Sequence, residues 1–142
     1  MTEGDTLPQP YVSARLRRLV VERAGNRCEY CLFPQWAATH RHEPDHIVAI
    51  QHGGTSEEQN LALACIHCNR YKGGNLTSID PVTKDIVRLF NPRTDLWAEH
   101  FELRGAVIIP VAAIGRVTVS FLRFNDQTRI GERQKLLDRG LF

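Results

Sequence analysis

Two Cys-x-x-Cys pairs, Cys28/Cys31 and Cys65/Cys68, bracket the stretch of this chain best equipped for chemistry. Each pair can turn two sulfurs inward from one tight knuckle, and two knuckles complete the tetrahedral four-thiolate set that suits zinc. Such a site has no open position, so the metal expected there is structural. The interval between the pairs, residues 32–64, is longer than zinc-ribbon spacing and must form a unit of its own, and that unit holds Asp45-His46. His46 carries the side chain that most readily cycles a proton near neutral pH, which suits a general base acting on water. Asp45 stands next to it, and neighbours in a regular strand point to opposite faces, so both serve one site only if the strand bends or ends there. Pro44, which favours strand ends, is compatible with that.

These side chains need elements to hold them. Asp45-His46 closes one short segment, the loop Gln51-His52-Gly53-Gly54-Thr55-Ser56 follows, and a second segment runs through Asn60 to Cys65, so the two can pair as a hairpin. Asn69-Arg70-Tyr71-Lys72 suits the opening of a helix that Gly73-Gly74 ends. Upstream, Ser13 is a plausible N-cap for a helix with Leu16, Leu19, Val20 and Ala24 on one face. Arg15, Arg17, Arg18, Glu22 and Arg23 fill its other, solvated face, and Gly25 closes it. Residues 1–12, with Pro8 and Pro10, read as a flexible arm.

The text CEYC followed by EPDHIVAIQHGGTSEEQNLALACIHCNRYKGG resembles the HNH nucleases, the ββα-metal (His-Me finger) family that includes colicin nuclease domains and many phage and bacterial endonucleases. The resemblance places His46 at the first H, Asn60 at the central N and Asn69 at the final H-or-N position. It implies that Asp45 shares a catalytic ion with Asn69. Their hard oxygens suit Mg2+ or Mn2+ rather than zinc. Gly73 stands where some members carry a further histidine ligand, which implies a two-ligand ion. The activity implied is metal-dependent hydrolysis of DNA phosphodiester bonds to a 5′ phosphate and a 3′ hydroxyl, with His46 as base. Asn60 would orient His46 by bridging backbone groups across the loop. Arg70, Lys72 and Arg41 would meet flanking phosphates, as would His52, which sits where the family often has Arg or Lys.

The remaining chain is less informative. His40, His42, His67 and His100 read as solvated or polar-contact histidines, and Trp36 as a loop cap or a stacking residue. Ser78–Thr83 reads as a turn and Ile86–Phe90 as a strand. Glu99–Leu103 and Ala106–Val111 suit a hairpin around Arg104-Gly105. Arg116–Phe124 and Gln127–Asp138 suit helices, the second with Ile130, Leu136 and Leu137 on its apolar side. The text LFNPRTDLWAEHF with IGRVTVSFLRFN resembles the C-terminal extension of a bacterial, notably cyanobacterial, set of stand-alone HNH proteins. The expected architecture is therefore α+β: an arm (1–12), a zinc-stapled ββα-metal core with its N-terminal helix (13–76), and an extension of hairpin and helices (77–142) packed on the core as one compact domain.

At 142 residues, 42% of them apolar, the chain suits one domain, and its net charge of +2 permits nucleic-acid binding without announcing it. No run of eighteen apolar residues exists, so no membrane span is expected, and reduced thiols favour the cytoplasm. Double-stranded DNA is the expected partner, with a protein partner or a second copy also open. The rival readings are a non-catalytic zinc module that binds nucleic acid or protein, and a nuclease effector subunit that waits for a partner.

Overall fold

Ser13 stands at the start of the first helix, as expected. Its extended backbone leaves Oγ free to accept the Leu16 amide at 3.1 Å, capping helix α1, Ala14–Arg23. The structure is a computed structural model and describes residues 11–142, so most of the expected N-terminal arm lies outside the described residues. Leu16, Val20, Val21 and Ala24 of α1 pack against Leu61 and Leu63. Leu19, expected in that stripe, lies outside it and is 38% exposed.

The first knuckle follows, and then strand β1, Glu43–His46, pairs antiparallel with β2, Leu61–Ala64, with Asp45 opposite Ala62 and His46 opposite Leu61. This sheet has only two strands, so Pro44 can place its missing N–H on an open edge. All four β2 residues are buried, and the period of two divides them: Leu61 and Leu63 face α1, while Ala62 and Ala64 join the cysteines in the main core. Helix α2, Ile66–Lys72, completes the ββα unit. It starts three residues before the expected Asn69, because the second knuckle is itself the first helical turn, with Cys65 at the N-cap accepting the Cys68 amide on its sulfur. Gly73, at φ +53°, ends it.

Beyond Gly74 come β3, Thr77–Ile79, and its antiparallel partner β4, Ile86–Arg88. The turn expected over 78–83 thus begins as a strand, whose two exposed residues out of three gave it no apolar pattern. At its end Asp80 is buried and gripped by the Arg116 guanidinium at 2.8–3.2 Å, which holds its carboxyl below the usual range. The one-turn helix α3, Trp97–His100, leads into the hairpin β5, Phe101–Arg104, and β6, Val107–Pro110. Helix α4, Ala113–Phe121, sits three residues earlier than read from the sequence, and α5 spans Gln127–Asp138 as expected. The buried face of α5 is Arg129, Arg133 and Leu136, with Ile130 and Leu137 only half-buried, so of the expected apolar side only Leu136 is buried and two arginines share its face. A single core cluster runs from Cys28, Tyr30 and Ile47 through Phe90, Phe101, Ile108, Val117 and Phe124, so the C-terminal half and the ββα unit share one interior.

Candidate active site and metal centre

The four cysteine sulfurs converge, all within 4.8 Å of one another, and none forms a disulfide. Cys31 Sγ lies 3.6 Å from Cys65 Sγ. Tetrahedral zinc with bonds of about 2.3 Å separates its sulfurs by roughly 3.8 Å, so the cluster fits that ion. Burial pushes the Cys28 and Cys68 thiols up, whereas hydrogen bonds from its neighbours pull Cys31 down. Four thiolates cannot share this dry pocket without a cation among them.

The first knuckle does a second job through Tyr30, which lies between its cysteines. The buried Tyr30 hydroxyl donates to Asp45 Oδ2 at 2.9 Å, and Lys72 Nζ pairs with the same oxygen at 3.1 Å. Burial raises the Asp45 carboxyl, and the Lys72 charge and Tyr30 hydrogen bond oppose that rise. Both partners hold Oδ2, so Oδ1 is the oxygen left for a ligand. Asp45, His46 and Asn69 line one open cleft of about 510 Å³ with Pro44, Gln51 and Gly74. β1 ends at His46, and both neighbours line this cleft. The Asn69 side-chain amide has no hydrogen-bond partner among the described residues.

His46 Nε2 lies 2.9 Å from Ser56 Oγ, a contact that no spacing rule flagged because Ser56 belongs to the loop rather than the motif. Burial lowers the His46 pKa, Lys72 adds to the fall, and Asp45 opposes it. Asn60 clamps the backbone just beyond His46. Its Oδ1 accepts the Val48 amide at 2.9 Å, and its Nδ2 donates to Val48 O at 2.9 Å and Thr55 O at 2.7 Å. Arg23, exposed as expected, also secures the same loop from α1 by donating to Glu58 O and Leu61 O.

The expected phosphate contacts divide. Arg70 is exposed, and Arg41 is exposed beside Glu43 at 3.2 Å. His52 is exposed, with Nε2 3.0 Å from Gly74 O at the rim of the cleft. Lys72 is a correction. It is 2% exposed, and its three N–H donors go to His46 O, Ile47 O and Asp45, so none remains for a phosphate. The lysine caps the end of β1 from within. Trp36 is 57% exposed and does not cover the core, whereas Phe33 packs on it.

Residues 28–75, about a third of the chain, match the family model of the HNH endonucleases. This stretch is similar to HNH domains. The match spans both knuckles, β1, β2 and α2, so it coincides with the ββα unit described above, and it implies a nuclease-type function with a nucleic-acid substrate. No curated protein and no solved structure matches the chain. No helix among the described residues is long and apolar enough to cross a membrane.

Proposed function

We propose that the chain is a metal-dependent DNA endonuclease with His46 as general base, Asp45 and Asn69 as ligands of a catalytic Mg2+ or Mn2+, and zinc held structurally by Cys28, Cys31, Cys65 and Cys68. The observation that carries this reading is the single cleft lined by Asp45, His46 and Asn69. In the tautomer that donates Nε2–H to Ser56, the Nδ1 lone pair of His46 is the one available to take a proton from water. The lowered His46 pKa keeps that nitrogen unprotonated at neutral pH. Asp45 Oδ1 and the unpartnered Asn69 amide oxygen supply the hard donors a divalent ion requires. Such an ion, when bound, supplies Lewis-acid stabilisation of charge on the phosphate and the leaving oxygen. Asn60, by fixing Val48 and Thr55, holds the turn that follows His46 and so keeps the ring directed into the cleft. The exposed Arg70, Arg41 and His52 would meet flanking phosphates, and the free thiols suit a reducing compartment such as the cytoplasm.

The test is cleavage of supercoiled plasmid with Mg2+, Mn2+ or chelator, comparing the wild-type chain with His46→Ala after metal analysis confirms that both retain zinc. Metal-dependent nicking or linearisation that drops by about 100-fold or more in the variant is expected. Equal cleavage by both proteins sinks the His46 assignment. A folded, zinc-loaded wild type that fails to cleave whichever ion is supplied returns the reading to a binding module or a partner-gated effector.

A further inference from the structure

Helix α5 turns two arginines into the interior, and the two are bonded differently. Arg133 donates to Ala106 O at 2.7 Å, Phe124 O at 2.8 Å and Asn125 Oδ1 at 3.1 Å, which ties α5 to the hairpin and to the end of α4. Arg129 is 5% exposed. Its Nη1 donates to Leu122 O at 2.6 Å and Arg123 O at 3.0 Å, and its Nη2 donates to Cys68 Sγ at 3.1 Å and reaches Cys65 Sγ at 3.6 Å. Among the described residues no carboxylate pairs with this buried guanidinium. A buried charge left unpaired is costly, so the charge that balances Arg129 has to be sought in the sulfurs it touches. Four thiolates around one Zn2+ carry a net charge of −2, which a dry interior tolerates only with a counter-charge close by.

We propose that Arg129 belongs to the metal centre: its guanidinium is the counter-charge and hydrogen-bond donor of the Cys65 and Cys68 thiolates, so that docking of the C-terminal helix and retention of zinc form one linked equilibrium. The proposal rests on the zinc reading of the four cysteines. It gives residues 77–142 a function that the HNH motif does not contain. The second knuckle is delivered by β2 and α2, while the residue that balances its charge arrives 61 positions later from α5. Linkage is reciprocal, so whatever affinity the docked helix adds to the metal, the metal returns as stability of the docked helix. Cys31, Cys65 and Arg129 also line a cavity of about 340 Å³, so a chelator entering there meets the thiolates on the side where Arg129 stands.

The experiment uses the full chain loaded with zinc, and the same chain substituted with Co2+. Zinc transfer to a chromogenic chelator and the thiolate-to-cobalt absorption bands are compared for wild type, Arg129→Gln, Arg129→Lys and Arg133→Gln. Arg129→Gln is expected to lower zinc affinity by about 10- to 100-fold and to shift the cobalt bands. Arg129→Lys, which keeps the charge but not the planar fork, should fall between it and wild type, and it carries the test if the glutamine variant does not fold. Arg133→Gln, which loses three bonds on the same helix without touching sulfur, should lower stability and leave the cobalt bands in place. Cobalt bands and zinc affinity unchanged in both Arg129 variants overturn the proposal. So does Arg133→Gln weakening zinc as much as Arg129→Gln, since helix docking alone would then account for the loss. A wild type with no stoichiometric zinc and no cobalt–thiolate band overturns the zinc reading and takes this proposal with it.

Discussion

At the scale of single residues, His46 has the clearest pH signature. Burial and the Lys72 charge disfavour its imidazolium, Asp45 favours it, and the first two prevail, so the pKa falls below the ordinary imidazole value of about 6.5. A base must be unprotonated to act, and a cation bound in the cleft would move the pKa further in the same direction. The acid limb of kcat/KM should therefore rise with unit slope to a plateau with its midpoint below 6.5, and a midpoint at or above 7 would contradict the assignment. Lys72 supports a second prediction. Its ammonium and the Asp45 carboxylate are 3% and 5% exposed, so Lys72→Met leaves a buried carboxylate without its counter-ion. A loss of about 3–5 kcal/mol is expected in urea unfolding at saturating zinc. Adding Asp45→Asn should recover part of it, because the unpaired charge is then gone, and no recovery would place the loss elsewhere. The sequence shows which residues can do the chemistry, since Cys-x-x-Cys and Asp-His announce themselves by type and spacing. It does not show their supports. Ser56, Tyr30 and Arg23 are ordinary residues until folding brings them against His46, Asp45 and the Asn60 loop, and Lys72 reads as a surface cation until α2 turns it inward.

At the scale of elements, the loop joining β1 to β2 carries the orientation of the site. Gly54 packs so closely on this loop that an added Cβ would collide with the Val48 carbonyl and approach Asn60 Nδ2 at 2.9 Å. These are the groups through which Asn60 clamps the backbone beyond His46. Gly54→Ala must therefore break the clamp or shift the strand end, and a displacement of about 1 Å at a catalytic group can cost roughly 100-fold. Activity should fall by about that factor while zinc content stays at the wild-type level. Gly53 provides the contrast. Its φ of +89° strains an alanine, but nothing lies within 4 Å of the added carbon, so Gly53→Ala should cost about 1–2 kcal/mol of stability and spare most activity. If the two variants behave alike, the Gly54 argument fails. The helices α1 and α5 were legible because a cap or a long polar–apolar pattern marks them. The sequence places α2 late because its start is a cysteine knuckle, and no helical propensity marks a cysteine at the N-cap. β3 is not legible because three residues, two of them exposed, carry no period that can be read.

At the scale of the whole molecule, the ββα unit and the tail are separable as text but not as matter. The HNH match ends at residue 75, yet the core that contains Cys28, Cys31, Cys65 and Cys68 also contains Leu89, Phe90, Phe101, Ile108, Val117, Leu122 and Phe124. Trp97 Nε1 donates to Tyr30 O at 2.8 Å inside the first knuckle, and Arg93 pairs with Glu29 in the same knuckle. Cutting the chain after residue 76 removes all of these, exposes the apolar faces of Tyr30, Ile47 and Ala64, and leaves a ββα unit whose burial is too small to offset its conformational entropy. A fragment of residues 11–76 should therefore be unfolded without metal and, with zinc, should bind an apolar dye and melt without a cooperative transition, whereas the full chain melts cooperatively. A fragment that melts cooperatively and cleaves plasmid at the full-chain rate would mean that the C-terminal half is an attachment. A fragment that binds zinc but neither folds cooperatively nor cleaves would place the tail where the shared core puts it, as the second wall of that core rather than a cover over it.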